Sequence, residues 1–191
     1  NKKTINNGQY TLEPGGQLEW SSPPLKDLNQ LNKSLLFHKS VLSELVNRYN
    51  LKVVSLSTEP IFRPEIIDLI DSNKYRLMDE RFKSTGKLGI WMMRNTASIQ
   101  INFDITSERD FEEMAFISDA LHPIASYIFS NSPFKLGNPV GTKNLRNIIW
   151  EDTDKDRCTN LFNHGIYHSK NLINDYISYV LKVPSLFSIN E

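Results

Sequence analysis

Two glutamates flank a Pro-Gly-Gly turn in the stretch from Tyr10 to Pro24, YTLEPGGQLEWSSPP, and this constrains the chain more than any other feature. Glycine tolerates positive φ, so Pro14-Gly15-Gly16 predicts a sharp reversal at little steric cost. Beyond it Gln17, Glu19 and Ser21 alternate with Leu18 and Trp20, the period-two pattern of a strand with one polar and one apolar face. Glu19 therefore shares a face with Gln17 and Ser21, and the turn brings Glu13 back toward it. Two carboxylates held this way suit a hard divalent cation such as Mg²⁺. An exposed hairpin with solvated glutamates has the same pattern, and both readings stay open on these residues alone.

A second stretch alternates as strictly. From Ser98 to Asp104, Ile99, Ile101 and Phe103 take one side, and Ser98, Gln100, Asn102 and Asp104 the other. Arg94, Asn95 and Thr96 lead into it. The polar row is either the wet face of an antiparallel sheet or, opposite Gln17 and Glu19, a floor for metal and phosphate oxygens. Leu51 to Thr58, rich in β-branched residues, predicts a further strand.

Helices are expected between these strands. Leu28, Leu31, Leu35, Leu42, Leu45, Val46 and Tyr49 recur at helical spacing, so Asp27 to about Asn50 predicts a long amphipathic helix capped near Asp27. His38 lies on or near its apolar stripe and reads as a structural histidine. Pro64 to Phe82 begins with a short helical pattern, Ile66, Ile67, Leu69 and Ile70, and continues into a mixed stretch with Arg76 and Arg81 as solvated surface. Ser107 to Asp110 resembles a capping box, and Phe111, Met114, Leu121 and Ile128 carry a helix to about Phe129, with a kink expected at Pro123. A glycine-containing loop covers residues 135–142, and residues 169–181 form a last helix that Pro184 stops. Arg146, Trp150, Asp152, Asp154, Asp156 and Arg157 fall close together, either as a loop of ion pairs or as a clamp for a small carboxylate.

Charge and length exclude several classes. The chain has 191 residues with 22 basic and 22 acidic side chains, so bulk electrostatics gives no signal for nucleic acid or an anionic membrane. No apolar run has the length of a membrane span and none reads as a signal peptide, so a soluble chain is expected. The single cysteine, Cys158, has no internal partner and favours a reducing cytoplasm. An Asn at the first position, with a strand-like segment close behind, reads as a trimmed or partly observed chain. No GxGxxG, Walker A, GxSxG or HExxH motif occurs, and Asp152-Asp154-Asp156 lacks the glycine and glutamate of an EF-hand. The residues by themselves predict an α+β domain, an antiparallel polar-faced sheet backed by helices.

Four stretches in this order resemble one family, the plant and proteobacterial type of glutamate–cysteine ligase. They are LEPGGQLEWSSPP from Leu12, MMRNTASIQINFD ending at Asp104, HPIASYIFSNSPF from His122 and LRNIIWEDTDKDR from Leu145; DYISYVLKVP from Asp175 is a weaker match. The resemblance implies a glutamine synthetase-like cradle of antiparallel strands, with residues 1–191 as a single domain forming a central part of a longer catalytic domain. It implies phosphorylation of the γ-carboxylate of L-glutamate by ATP and attack of L-cysteine on the acyl phosphate, with Mg²⁺ required. The alternatives are a non-catalytic binding domain of the same fold, or a ligase using a different amine. Glu13 and Glu19 would be metal ligands. Gln100, in the pattern Gln100-Ile101-Asn102, would contact metal, and Asn102 the nucleotide. Arg146 would hold a substrate carboxylate with Trp150 as wall, with Arg157 as a second cation and Thr96 also at the substrate. Asn95 stands where some members carry arginine. The family's first acidic motif and its C-terminal part have no counterpart here, so a chain complete as it stands is expected to be inactive or completed by a partner.

Overall fold

The computed structural model describes residues 3–5 and 8–186, with the side chains of 3–5 excepted; the ends of the expected 1–191 domain lie outside them. It is a mixed helix and antiparallel sheet structure, as an α+β reading requires. Strands β1 (Lys3–Ile5), β2 (Gly8–Leu12) and β3 (Leu18–Ser21) form an antiparallel meander in the order β1-β2-β3. Tyr10 opposes Trp20 and Thr11 opposes Glu19. Opposed residues share a face, so this register sends the aromatic pair to one side and Glu19 with Thr11 to the other.

The aromatic side is covered by helix α1 (Leu28–Tyr49). Asp27 caps it by accepting from the Gln30 N–H at 2.8 Å, and Asn50 closes it in the left-handed region at φ 50°, as the sequence predicts. Trp20 packs on Phe37 with centroids 5.3 Å apart and donates from Nε1 to Ser34 Oγ. His38 is structural: its Nδ1 pairs with the Tyr10 hydroxyl at 3.0 Å, and burial lowers its pKa.

The core lies elsewhere, around helix α3 (Gly89–Asn95), which packs against α2 (Asn73–Thr85), α5 (Leu145–Glu151) and the 3₁₀ turn Pro64–Ile66. Trp91, Leu145 and Ile149 form its centre, lined by Leu88, Met92 and Val140. Helix α4 (Glu108–Ile128) begins at Ser107, whose hydroxyl accepts from the Asp110 N–H, and runs through Pro123. The hairpin β4 (Phe134–Lys135) and β5 (Asn138–Pro139) replaces the expected glycine loop, and α6 (Leu172–Val180) is the last helix of the described chain.

Three expectations are corrected. The mixed stretch after Ile70 is the 13-residue helix α2. Arg94 and Asn95, expected to lead into a strand, belong to α3, which is enclosed by neighbours so closely that Gly89, Trp91, Met93 and Asn95 are all buried. Residues 97–106 and 51–57 form no ladder among the described residues; the predicted strands touch at one antiparallel bridge, Thr58 with Thr96. Period-two alternation gives a segment the capacity for a sheet, but a strand exists only with a paired backbone. Ile99, Ile101 and Phe103, the intended core face, are 88%, 69% and 67% exposed.

Candidate functional site

The Pro-Gly-Gly turn is pinned at its tip to the C-terminal end of α3. Gln17 donates from Nε2 to Thr96 O at 3.0 Å and to Met93 O at 3.3 Å, while its Oε1 accepts from the Gly15 N–H. Gly15 lies so close that a Cβ there would sit 2.6 Å from Arg94 O, and Gly16 takes φ +81°. Both glycines of the motif are thus required, one by contact and one by conformation.

This anchoring turns Glu13 and Glu19 toward the start of α2. Burial raises the Glu13 pKa, Glu19 raises it further, and Lys74 partly offsets them; Tyr75 is raised by burial and then by the same two carboxylates. Ser21 Oγ donates to Glu19 Oε1 at 3.4 Å. Thr11 Oγ1, opposite Glu19 on the sheet, is buried without a partner. Two coupled carboxylates and an unsatisfied hydroxyl are the oxygen donors that a hard cation takes. No group of three or more His, Cys, Asp or Glu able to hold a metal occurs among the described residues, so these donors by themselves do not complete a coordination shell. Gln100 and Asn102 do not join them. Both are exposed and make no hydrogen bond among the described residues.

A cavity of 380 Å³ opens beside the turn, lined among others by Gly15, Gln17, Lys52, Thr58, Asn95 and Thr96. Thr96 reaches this wall, although its hydroxyl donates back to Met92 O at 2.7 Å. Asn95 donates to Phe62 O, and its buried Oδ1 has no partner. Arg94 also touches the cavity, but its guanidinium is committed to a structural role that the sequence did not reveal. It contacts Asp79 at 2.9 Å and donates to Pro64 O and Ile67 O, while Lys83 holds the other Asp79 oxygen at 2.6 Å. Burial by itself would raise the Asp79 pKa, but hydrogen bonds and charge from Lys83 and Arg94 hold it below the ordinary value. The available signal was the i,i+4 spacing of Asp79 and Lys83.

On α5, Arg146 lies over the Trp150 ring at 5.5 Å. Arg146 Nε and Trp150 Nε1 are buried without partners, and no acidic side chain pairs with Arg146 among the described residues. Burial lowers the arginine's pKa. A desolvated guanidinium beside a free indole N–H offers donors to a carboxylate. Arg157, expected as a second cation, has its guanidinium held by the buried Asp154 at 2.6 Å and also donates to Pro184 O.

The family model described as Glutamate-cysteine ligase family 2 (GCS2) matches residues 2–191. The chain belongs to this family. It is 34% identical over 181 residues to the chloroplastic glutamate–cysteine ligase of Arabidopsis thaliana, covering 95% of this chain and 34% of that protein. The chloroplastic enzyme of Brassica juncea is 34% identical over 178 residues, covering 93% and 34%, and chloroplastic glutamate–cysteine ligase A of Oryza sativa subsp. indica is 33% identical over 177 residues, covering 93% and 36%. The chain spans about a third of the length of these relatives. Among the described residues no helix is long and apolar enough to cross a membrane.

Proposed function

We propose that the chain is a central piece of an ATP-dependent glutamate–cysteine ligase with a glutamine synthetase-like cradle. The full-length protein phosphorylates the γ-carboxylate of L-glutamate and joins the acyl phosphate to the amine of L-cysteine. The observation that carries this reading is the family match across residues 2–191. The geometry supports it at two places, the carboxylate pair and the unpaired Arg146.

Glu13 and Glu19, with Thr11 beside them, would hold Mg²⁺, which neutralises the transferring phosphate. The remaining work falls to the chain's own residues. Arg146 binds a glutamate carboxylate and Trp150 walls that pocket against water. Gln17 fixes the turn that carries Glu13 against α3. By the resemblance, Gln100 would contact the metal and Asn102 the nucleotide once their exposed segment closes on the site. Catalysis of this kind is mainly positioning and electrostatics, which suits groups anchored on short rigid elements. A reducing compartment suits Cys158; the sequence favours the cytoplasm, whereas the named relatives are chloroplastic.

The test is ADP release by the full-length gene product with Mg-ATP and L-glutamate, comparing L-cysteine with other amines and running Glu19→Gln in parallel. Cysteine-dependent turnover that the substitution abolishes is the expected result. Turnover with another amine alone changes the acceptor. A folded protein that binds glutamate but turns over no amine, or a Glu19→Gln variant of full activity, overturns the assignment.

A further inference from the structure

The bridge between Thr58 and Thr96 fixes a register for the two segments that form no ladder. The Glu59 N–H donates to Asn95 O at 2.7 Å and the Ala97 N–H to Ser57 O at 3.1 Å, the pattern of an antiparallel non-hydrogen-bonded pair. Continued in that register, Leu56 opposes Ser98, Val54 opposes Gln100 and Lys52 opposes Asn102. On the other face Val53 meets Ile101 and Leu51 meets Phe103. All four of these apolar residues are more than half exposed, and the register would bury them pairwise. Two separate sequences therefore alternate in phase with one another about a bridge that already exists.

What interrupts the ladder is Asn131. Ser57 uses its carbonyl for Ala97, and in a strand the N–H and carbonyl of one residue point to the same edge. The Ser57 N–H instead donates to Asn131 O at 2.9 Å, and the next carbonyl on the edge, Ser55 O, accepts from Asn131 Nδ2. Asn131 thus occupies the two positions that Ala97 O and the Ile99 N–H would take. Beyond it the chain folds back locally, with the Leu56 N–H donating to Val54 O.

The even-numbered face is the one that matters chemically. Lys52, Val54, Leu56, Thr58 and Thr96 all line the cavity beside the Glu13 turn. Lys52 has no acidic partner among the described residues. We propose that residues 97–103 pair with residues 51–57 in the register set by Thr58 and Thr96, displacing Asn131, and that this closure assembles Lys52, Gln100 and Asn102 into one polar wall in which Lys52 meets a phosphate of the nucleotide. The identity of the anion rests on the ligase reading above; the register does not.

Two cysteine pairs in the full-length gene product test the register. Val54→Cys with Gln100→Cys places both thiols on the same face of a non-hydrogen-bonded pair, which a disulfide can span; Val54→Cys with Ile99→Cys puts them on opposite faces. Oxidation is expected to link the first pair and not the second, read by peptide mass. Amide exchange gives an independent reading without substitution: the Ile99 and Ile101 N–H groups point at residues 51–57 and are expected to be protected. Equal linking of both pairs, or exchange of Ile99 and Ile101 at the rate of an open chain, overturns the register. Lys52→Ala is expected to raise the KM for ATP about tenfold, the scale of one charge-assisted contact, with Lys52→Arg restoring it. An unchanged KM for ATP overturns the role of Lys52. Failure of Glu19→Gln to impair turnover counts against the ligase reading and leaves the cross-link result standing.

Discussion

At the scale of single residues, Arg94 and Arg146 have opposite situations, and the structure separates them by their acidic partners. The Nε of each is buried without a partner, but Arg94 is paired with a buried carboxylate, whereas Arg146 has none among the described residues. Removing Asp79 strands a buried guanidinium, so Asp79→Ala is expected to cost about 3–5 kcal/mol in urea unfolding at neutral pH. The folded-state pKa of Asp79 lies below its unfolded value of about 3.9, so its contribution is fully present above that value and is lost as pH falls through the folded pKa. A titration of stability toward acid should therefore fall more gently in Asp79→Asn than in the parent; identical acid slopes would refute the pair's role. Arg146→Ala makes the contrasting prediction. Charge-assisted hydrogen bonds contribute about 1.5–3 kcal/mol, so the KM for glutamate is expected to rise roughly 10- to 100-fold while that for ATP holds. A rise confined to ATP would move Arg146 to the phosphate side of the site.

At the scale of elements, the helices α1 and α4 were legible because their signals are local: Asp27 and Ser107 cap within three residues, and the apolar spacing needs only the helix itself. Helix α2 was missed because its apolar residues, Tyr75, Leu77, Met78 and Phe82, are sparse among charges, and packing on α3 decides it. The segments around Ile101 and Val53 carried an alternation but no information about a partner, and they form no ladder among the described residues. Of the site, the hairpin and the carboxylate pair were readable from glycine and alternation, and so was the Arg146–Trp150 pair. The pairing of Asp79 with Arg94 was not, because it joins two helices; only the i,i+4 spacing of Asp79 and Lys83 was local. The join between the hairpin and α3 yields a prediction of its own. Gly15→Ala would place a methyl 2.7 Å from Arg94 Cα, against backbone that cannot swing aside. Overpacking of this kind costs about 1–3 kcal/mol, and the shift would also pull Glu13 away from its neighbours. The variant is expected to lose Mg²⁺ affinity, read by competition with Mn²⁺ in electron paramagnetic resonance, by more than its loss of stability explains. Unaltered Mn²⁺ binding would show that the close approach serves packing alone.

For the whole molecule, the question is what the apolar surface is for. On α4, Ile117, Leu121, Ile124 and Ile128 follow one another at helical spacing and are 54%, 52%, 58% and 65% exposed, and the 51–57 and 97–106 segments add a second apolar strip. Soluble single-domain proteins rarely leave contiguous patches of this kind uncovered. The tightly packed centre around Trp91, Leu145 and Ile149 is small for a chain of 191 residues. The span also matches only about a third of its relatives' length. Pairing residues 97–103 with residues 51–57 covers the second strip but leaves the α4 stripe open among the described residues. The 191-residue span produced alone is accordingly expected to bind a dye specific for exposed apolar surface and to unfold with a shallow urea dependence, because little area is buried. The full-length gene product should bind no dye and unfold steeply. Leu121→Lys reports on the stripe directly, because it puts a charge in its middle. In the isolated span the substitution lowers dye binding at little cost in stability, whereas in the full-length protein it buries an unpaired charge and destabilises strongly. Equal effects in the two backgrounds would mean that the stripe faces water in both.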